Sequence, residues 1–128
     1  MKTILICLAI VAVLPFFSSV ISGYFRQKQF GKVDNKQPRV QCGSLEGAGI
    51  RAVGAQANAW EAVAFFSVTI LILFLGGVDW AKAETPAMVY VATRIAHPIS
   101  YLMNKDILRS IVFFVGFASC IYMWTLVI

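Results

Sequence analysis

The sequence predicts an all-α integral membrane protein, a bundle of four transmembrane helices forming one domain over residues 1–128. Composition is the first reason: 59% of the residues are hydrophobic and 13% charged, too apolar for the polar shell a soluble domain of this size needs. The second is four apolar stretches, at about residues 4–23, 51–78, 86–103 and 107–128, each near the roughly 20 residues that cross a hydrocarbon core. Helices are the expected form because they satisfy their own backbone hydrogen bonds in lipid. The third is the gathering of basic residues in one connection, as the positive-inside rule requires of a multi-pass protein.

The first stretch carries no charge after Lys2, and Pro15 is a candidate kink because proline removes one intrahelical hydrogen bond. A cleaved signal peptide is the competing reading. It would push Arg26, Lys28, Lys32, Lys36 and Arg39 across the membrane directly behind the apolar run, against the positive-inside rule. The connection from Tyr24 to Gly49 is rich in Gly, Asn, Asp and Pro and reads as irregular. Helix 2 ends at Gly76-Gly77, residues 79–85 form the next turn, and Asn104, Lys105 and Asp106 join helices 3 and 4.

Orientation follows from the same charges. The basic loop and the turn bearing Lys105 and Arg109 are expected on the cytoplasmic side, with both termini outside; in a bacterium this would be the inner membrane. Trp80, Tyr122 and Trp124 then fall at the outer interface. Most of the net charge of +5 sits in the inner loop, where it suits contact with anionic lipid heads. The loop is short and its aromatics lie at its membrane end, so nucleic acid is not an expected partner. Cys7, Cys42 and Cys120 show no CxxC spacing, and with one histidine no metal site is expected.

The most informative segment is RAVGAQANAWE, residues 51–61, which opens an apolar helix with an arginine, an asparagine and a glutamate. Such side chains cost about 2.5–3.5 kcal/mol each at a bilayer centre when charged, and persist where they face protein, water or a ligand. Arg51, Asn58 and Glu61 fall within an arc of about 80° at 100° per residue. On helix 3, Tyr90, Arg94, His97 and Tyr101 fall within about 60°. Counted from the inner ends of the two helices, Glu61 and Arg94 are level at about 15 Å depth. Asn58 is level with His97, and Gly54 with Tyr101. An antiparallel pair, within one chain or between chains, would bring these together, and an ion pair would offset part of the desolvation cost. Interhelical glue and a ligand site both remain open for Glu61 and Arg94, which could simply pair; Asn58, His97, Tyr101 and Arg51 exceed what one ion pair requires and outline a polar cone open to the inner side. Arg109, in the first turn of helix 4, adds its charge to the positive end of the helix dipole, where an anion or thiolate is stabilised.

RAVGAQANAWEAVAFF and RIAHPISYLMNKDILRS resemble the MAPEG superfamily, membrane-associated proteins in eicosanoid and glutathione metabolism, and the second segment is most similar to its prostaglandin E synthases. The resemblance implies a homotrimer with glutathione as co-substrate, bound between neighbouring subunits near the cytoplasmic side. It implies glutathione-binding or bracing roles for Asn58, Glu61, Arg94, His97 and Tyr101. A basic residue at the end of helix 1, aligned here with Arg26, joins them. Arg109 matches the arginine that holds the thiolate and Ser110 its neighbour. Gly54 stands where several family enzymes carry a second arginine, and the turn before Arg109 is about one residue shorter than in the prostaglandin synthases.

The expected activity is that of a glutathione transferase or peroxidase acting on a lipophilic electrophile or lipid. Arg26, Arg51, Asn58, Glu61, Arg94 and Tyr101 would hold glutathione, and Arg109 would stabilise its thiolate. The alternatives are a non-catalytic lipid-binding or scaffold member of the same family and a small four-helix transporter. The transporter type places a lone acid in the first helix, and none stands there.

Overall fold

The computed structural model describes residues 1–128 and is helical throughout, without strands. Five helices follow one another: α1 (Lys2–Phe30), α2 (Pro38–Gly43), α3 (Ala48–Leu75), α4 (Trp80–Leu102) and α5 (Asp106–Trp124). The four long ones correspond to the four apolar stretches, and α2 is an addition. The boundaries move for local reasons. The first helix does not stop at residue 23 but runs through Tyr24, Arg26 and Lys28. It ends where Gly31 takes a left-handed conformation (φ 71°) and donates its N–H to the Gln27 carbonyl. The fourth helix starts at Trp80, six residues before the expected position, because the Asp79 side chain accepts from Ala81 N and caps it. Pro86 and Pro98 lie inside that helix, and Pro15 inside α1.

Antiparallel order follows from particular contacts. Ser22 on α1 donates to Gln56 on α3, and Phe16 meets Trp60 edge-on at 5.3 Å. The Met1 amino group pairs with Glu84 at 3.3 Å, so α1 and α4 start at the same end. Trp124 donates to Thr69 at 3.2 Å, bringing the chain end to the same level. The opposite end holds the α1–α3 connection and the Asn104–Lys105 turn.

The buried stripe of α1 is Ile4, Cys7, Val11, Pro15, Ser18 and Ser22, repeating every three or four residues, and Arg26 continues it. It packs on α3 and α4, where Phe66 stacks on Tyr90 at 4.6 Å and the Tyr90 hydroxyl donates to the Ala62 carbonyl at 2.9 Å. Large apolar side chains cover the outside, Phe17, Val20, Phe74 and Leu75 among them. A surface of that kind is stable against lipid tails and unstable in water. Three helices, α1, α3 and α5, are long and apolar enough to cross a membrane. The fourth long helix falls short in apolarity because it carries Thr93, Arg94, His97 and Ser100, and all four are buried against protein. The chain is an integral membrane protein whose most polar helix turns its polar side inward.

The α1–α3 connection is more ordered than its composition predicts. Gln41 of α2 ties it together: Oε1 accepts from Asp34 N at 2.9 Å and from Arg26 Nη1 at 3.4 Å, while Nε2 donates to the Lys32 carbonyl at 2.8 Å. Asp34 closes a turn by accepting from Lys36 N and Gln37 N at 2.8 and 3.2 Å. Those two amides hold its carboxyl below the usual carboxylate range. A depressed acid contributes order that is complete above its unfolded value, about 3.9, and is lost as pH falls through the lower folded value. Hydrogen exchange corrected for intrinsic rates is therefore expected to keep Lys36 and Gln37 protected at pH 5 and to lose that protection only below the ordinary Asp range. Asp34→Ala removes the protection at every pH, and unchanged exchange in that variant would show that the turn does not depend on Asp34.

Candidate functional site

Three helices build the site. The N-terminal half of α3 presents Asn58 and Glu61, α4 presents Arg94, His97 and Tyr101, and the N-terminal part of α5 presents Arg109, Ser110 and Phe113. Asn58, Glu61, His97, Tyr101, Arg109 and Ser110 meet around one open cavity of about 460 Å³. A deeper cavity of about 290 Å³ shares Asn58, Glu61 and Phe113 with it and reaches Arg94 between the rings of Phe65, Tyr90 and Phe117. The level deduced from residue counting is visible in the contacts. A Cβ built on Gly54 would lie 2.6 Å from the Tyr101 hydroxyl, so the tyrosine leans on α3 where glycine leaves room.

The ion pair between Glu61 and Arg94 does not form within the chain, although both line the deeper cavity. The one salt bridge of the chain is Met1–Glu84. Arg94 is 6% exposed and turns toward α5, where Nη2 donates to the Val112 and Phe113 carbonyls at 3.4 and 3.5 Å, and Nε to Thr93 Oγ1 at 3.4 Å. The faces of Tyr90 and Phe113 flank the guanidinium at 5.1 and 5.6 Å. Gly116 makes this possible: a Cβ there would lie 2.5 Å from Thr93 Oγ1 and 2.7 Å from Arg94 Nη2. Glu61 is left exposed on α3, where its carboxylate accepts one hydrogen bond, from the Asn58 amide at 3.5 Å.

Arg109 lies 4.4 Å over the Tyr101 ring, and His97 meets the same ring edge-on at 5.8 Å. No side-chain hydrogen bond within the chain engages the Arg109 guanidinium, and it lines the cavity with its donors available. Ser110 donates to the Asp106 carbonyl at 3.0 Å, which holds its side chain back along the helix. Across the two adjoining cavities the polar heads combine two cations, Arg109 in the larger and Arg94 in the deeper, with one carboxylate, an amide, an imidazole, a phenol and a serine hydroxyl. This donor set suits a small zwitterion carrying more negative than positive charge. No group of three or more His, Cys, Asp or Glu side chains gathers to hold a metal.

Arg26 and Arg51 line neither cavity. They stand at the end where α1 and α3 adjoin the short α2, and Arg26, 9% exposed, meets Gln41. The Nε atoms of both arginines are buried without a partner. Helical periodicity puts Arg51 on the Asn58–Glu61 side of α3, but it lies about two turns before Asn58 and nearly one turn before Gly54, the first lining residue of α3, and does not line the cavity. Phe113 and Phe114 line the larger cavity, and Thr93 and Gly116 seat Arg94; none of the four stands out in the sequence as a polar site residue. The phenylalanines have no signature that separates them from lipid-facing ones. The lone glycine in the middle of an apolar helix was a usable sign, since small residues mark close helix approach in membranes.

An all-helical membrane protein with a polar, cation-bearing cavity opening among its helices defines the class. Comparison with known families matches residues 3–128, essentially the whole chain, to the MAPEG family, and the chain belongs to that family. No curated protein and no solved structure matches it.

Proposed function

We propose that this MAPEG member is a glutathione-dependent transferase or peroxidase for lipophilic electrophiles. The observation that carries the reading is the 460 Å³ cavity in which Arg109, stacked on Tyr101, stands with Asn58, Glu61 and His97. Glutathione offers two carboxylates, one ammonium and one thiol. Glu61 meets the ammonium, Asn58 and Tyr101 offer hydrogen bonds, and the arginines meet the carboxylates. Arg109 and the N-terminal end of α5 favour the thiolate over the thiol. The thiolate attacks an electrophilic carbon, forming a carbon–sulfur bond as an epoxide C–O bond breaks or an activated alkene π bond opens, and the resulting oxyanion or carbanion takes a proton. With a lipid hydroperoxide the thiolate attacks the outer oxygen and the O–O bond breaks to release the alcohol. The glutathione sulfenic acid then condenses with a second glutathione to give the disulfide and water. Ser110 would adjust position beside Arg109.

The working unit is a homotrimer. Glu61 lies near the middle of the 28-residue α3 and is exposed on the single chain. A charge facing lipid tails there is costly, and a neighbouring copy covers it. The same neighbour can supply Arg26 and Arg51, whose buried Nε atoms lack partners and which stand apart from this chain's own cavity. The bundle sits with four crossings, termini outside and the basic connection in the cytoplasm.

One observation favours a second reading, a non-catalytic lipid-binding or scaffold member. The Tyr101 hydroxyl leans into the space at Gly54, where several family enzymes carry an arginine. Calorimetry with millimolar glutathione, paired with native mass spectrometry, separates the two. The transferase reading expects binding heat and a trimer retaining glutathione. No heat and no thermal shift would favour the scaffold, and a monomer binding glutathione would overturn the shared site.

A further inference from the structure

We propose that the groove between the beginning of α4 and the end of α5 is a binding site for one anionic glycerophospholipid of the leaflet at the termini end. The groove encloses about 480 Å³ and is lined by Ala81, Lys82, Thr85, Val89, Ser119 and Tyr122, together with Pro86. It lies at the opposite end of the bundle from Arg109 and shares no residue with either cavity of the candidate site.

Three polar heads stand on its rim. Lys82 and Thr85 are exposed and Tyr122 is 55% exposed, and none of the three side chains takes part in a hydrogen bond within the chain. The nearby acids are already engaged. Glu84 pairs with the Met1 amino group at 3.3 Å, and Asp79 caps α4 through Ala81 N. Lys82 forms no ion pair within the chain, and the two acids nearest it in sequence are held by other groups. A phosphate diester accepts from an ammonium and two hydroxyls, which is what Lys82, Thr85 and Tyr122 offer.

The groove also has a direction. Val89 lies seven residues below Lys82 on α4, about 10 Å deeper into the membrane. Pro86 and Val89 make the apolar lower wall, with Ser119 one turn below Tyr122 on α5. The polar rim and apolar depth follow the polarity of a phospholipid from headgroup to acyl chain. A soluble anion would use the rim and leave the lower groove unfilled. Trp80 and Trp124, at the same end, mark the interfacial level at which such a headgroup sits.

Native mass spectrometry of the full chain released from detergent with phosphatidylglycerol tests this. The unaltered chain is expected to retain one phosphatidylglycerol per subunit and not diacylglycerol of the same acyl chains. Lys82→Gln is expected to lower retention at least five-fold and Tyr122→Phe by a smaller factor. Lys28→Gln, an exposed lysine at the other end, should leave retention unchanged. Equal loss in Lys28→Gln and Lys82→Gln would reduce the effect to general charge and overturn the site. Equal retention of diacylglycerol would overturn phosphate recognition, and displacement by millimolar inorganic phosphate would identify a free anion instead of a lipid. Glutathione binding measured on the same samples is independent of the outcome.

Discussion

Arg109→Ala is expected to reduce glutathione conjugation by about 10²–10³-fold, the usual effect of removing one preorganised group that stabilises a reacting anion. The reason is local. Arg109 is the cation on the wall of the larger cavity, and its guanidinium lies over the Tyr101 ring at 4.4 Å. Its side chain anchors no core contact, so the folded protein should keep its melting temperature. Ultraviolet absorbance of the bound thiolate should fall with activity, while glutathione still binds through its carboxylates and ammonium. Arg109→Lys keeps the charge and loses the flat stacking surface, and an intermediate rate is expected. Conjugation unchanged in the alanine variant of purified protein would remove Arg109 from the chemistry.

Gly116→Ala is expected to destabilise the bundle by about 1–3 kcal/mol, the range for a methyl forced into a filled interior. In a helix interior without such neighbours the same change stabilises by roughly 0.5–1 kcal/mol, so the sign of the effect is diagnostic. The new Cβ would stand 2.5 Å from Thr93 Oγ1 and 2.7 Å from Arg94 Nη2. Either α5 withdraws or Arg94 leaves the Val112 and Phe113 carbonyls. Adding Thr93→Ala removes one of the two clashes and is expected to restore part of the melting temperature while Arg94 stays displaced. A lower thermal midpoint for Gly116→Ala, partly recovered in the double variant, supports the close approach. A rise in the midpoint would show that α4 and α5 stand further apart.

The four long helices were legible because apolar runs of membrane-crossing length leave few alternatives. Their ends were less so. Arg26 and Lys28 read as loop because charge usually marks the edge of a span, yet α1 carries them to Phe30 and ends at Gly31 for conformational reasons. The short α2 and the Gln41 bonds around it are set by contacts between residues seven to fifteen positions apart, which no local pattern announces. For the site, the spacing of Asn58 and Glu61 and of Arg94, His97 and Tyr101 was sufficient to put them on one side of each helix. The Gly54–Tyr101 approach follows from the same counting.

The sequence by itself determined that the chain lives in a membrane, where its helices run, and at what height and on which side each polar residue stands, because period and rise are fixed by backbone geometry. Only the tertiary structure decided which neighbour each of those sides meets. Arg94 stands level with Glu61 but lies against the carbonyls of α5, since Gly116 lets that helix come close enough to receive it. Arg51 shares a side with Asn58 but does not line the cavity. Helical periodicity assigns a direction around one axis, and the packing of several axes chooses the partner found there.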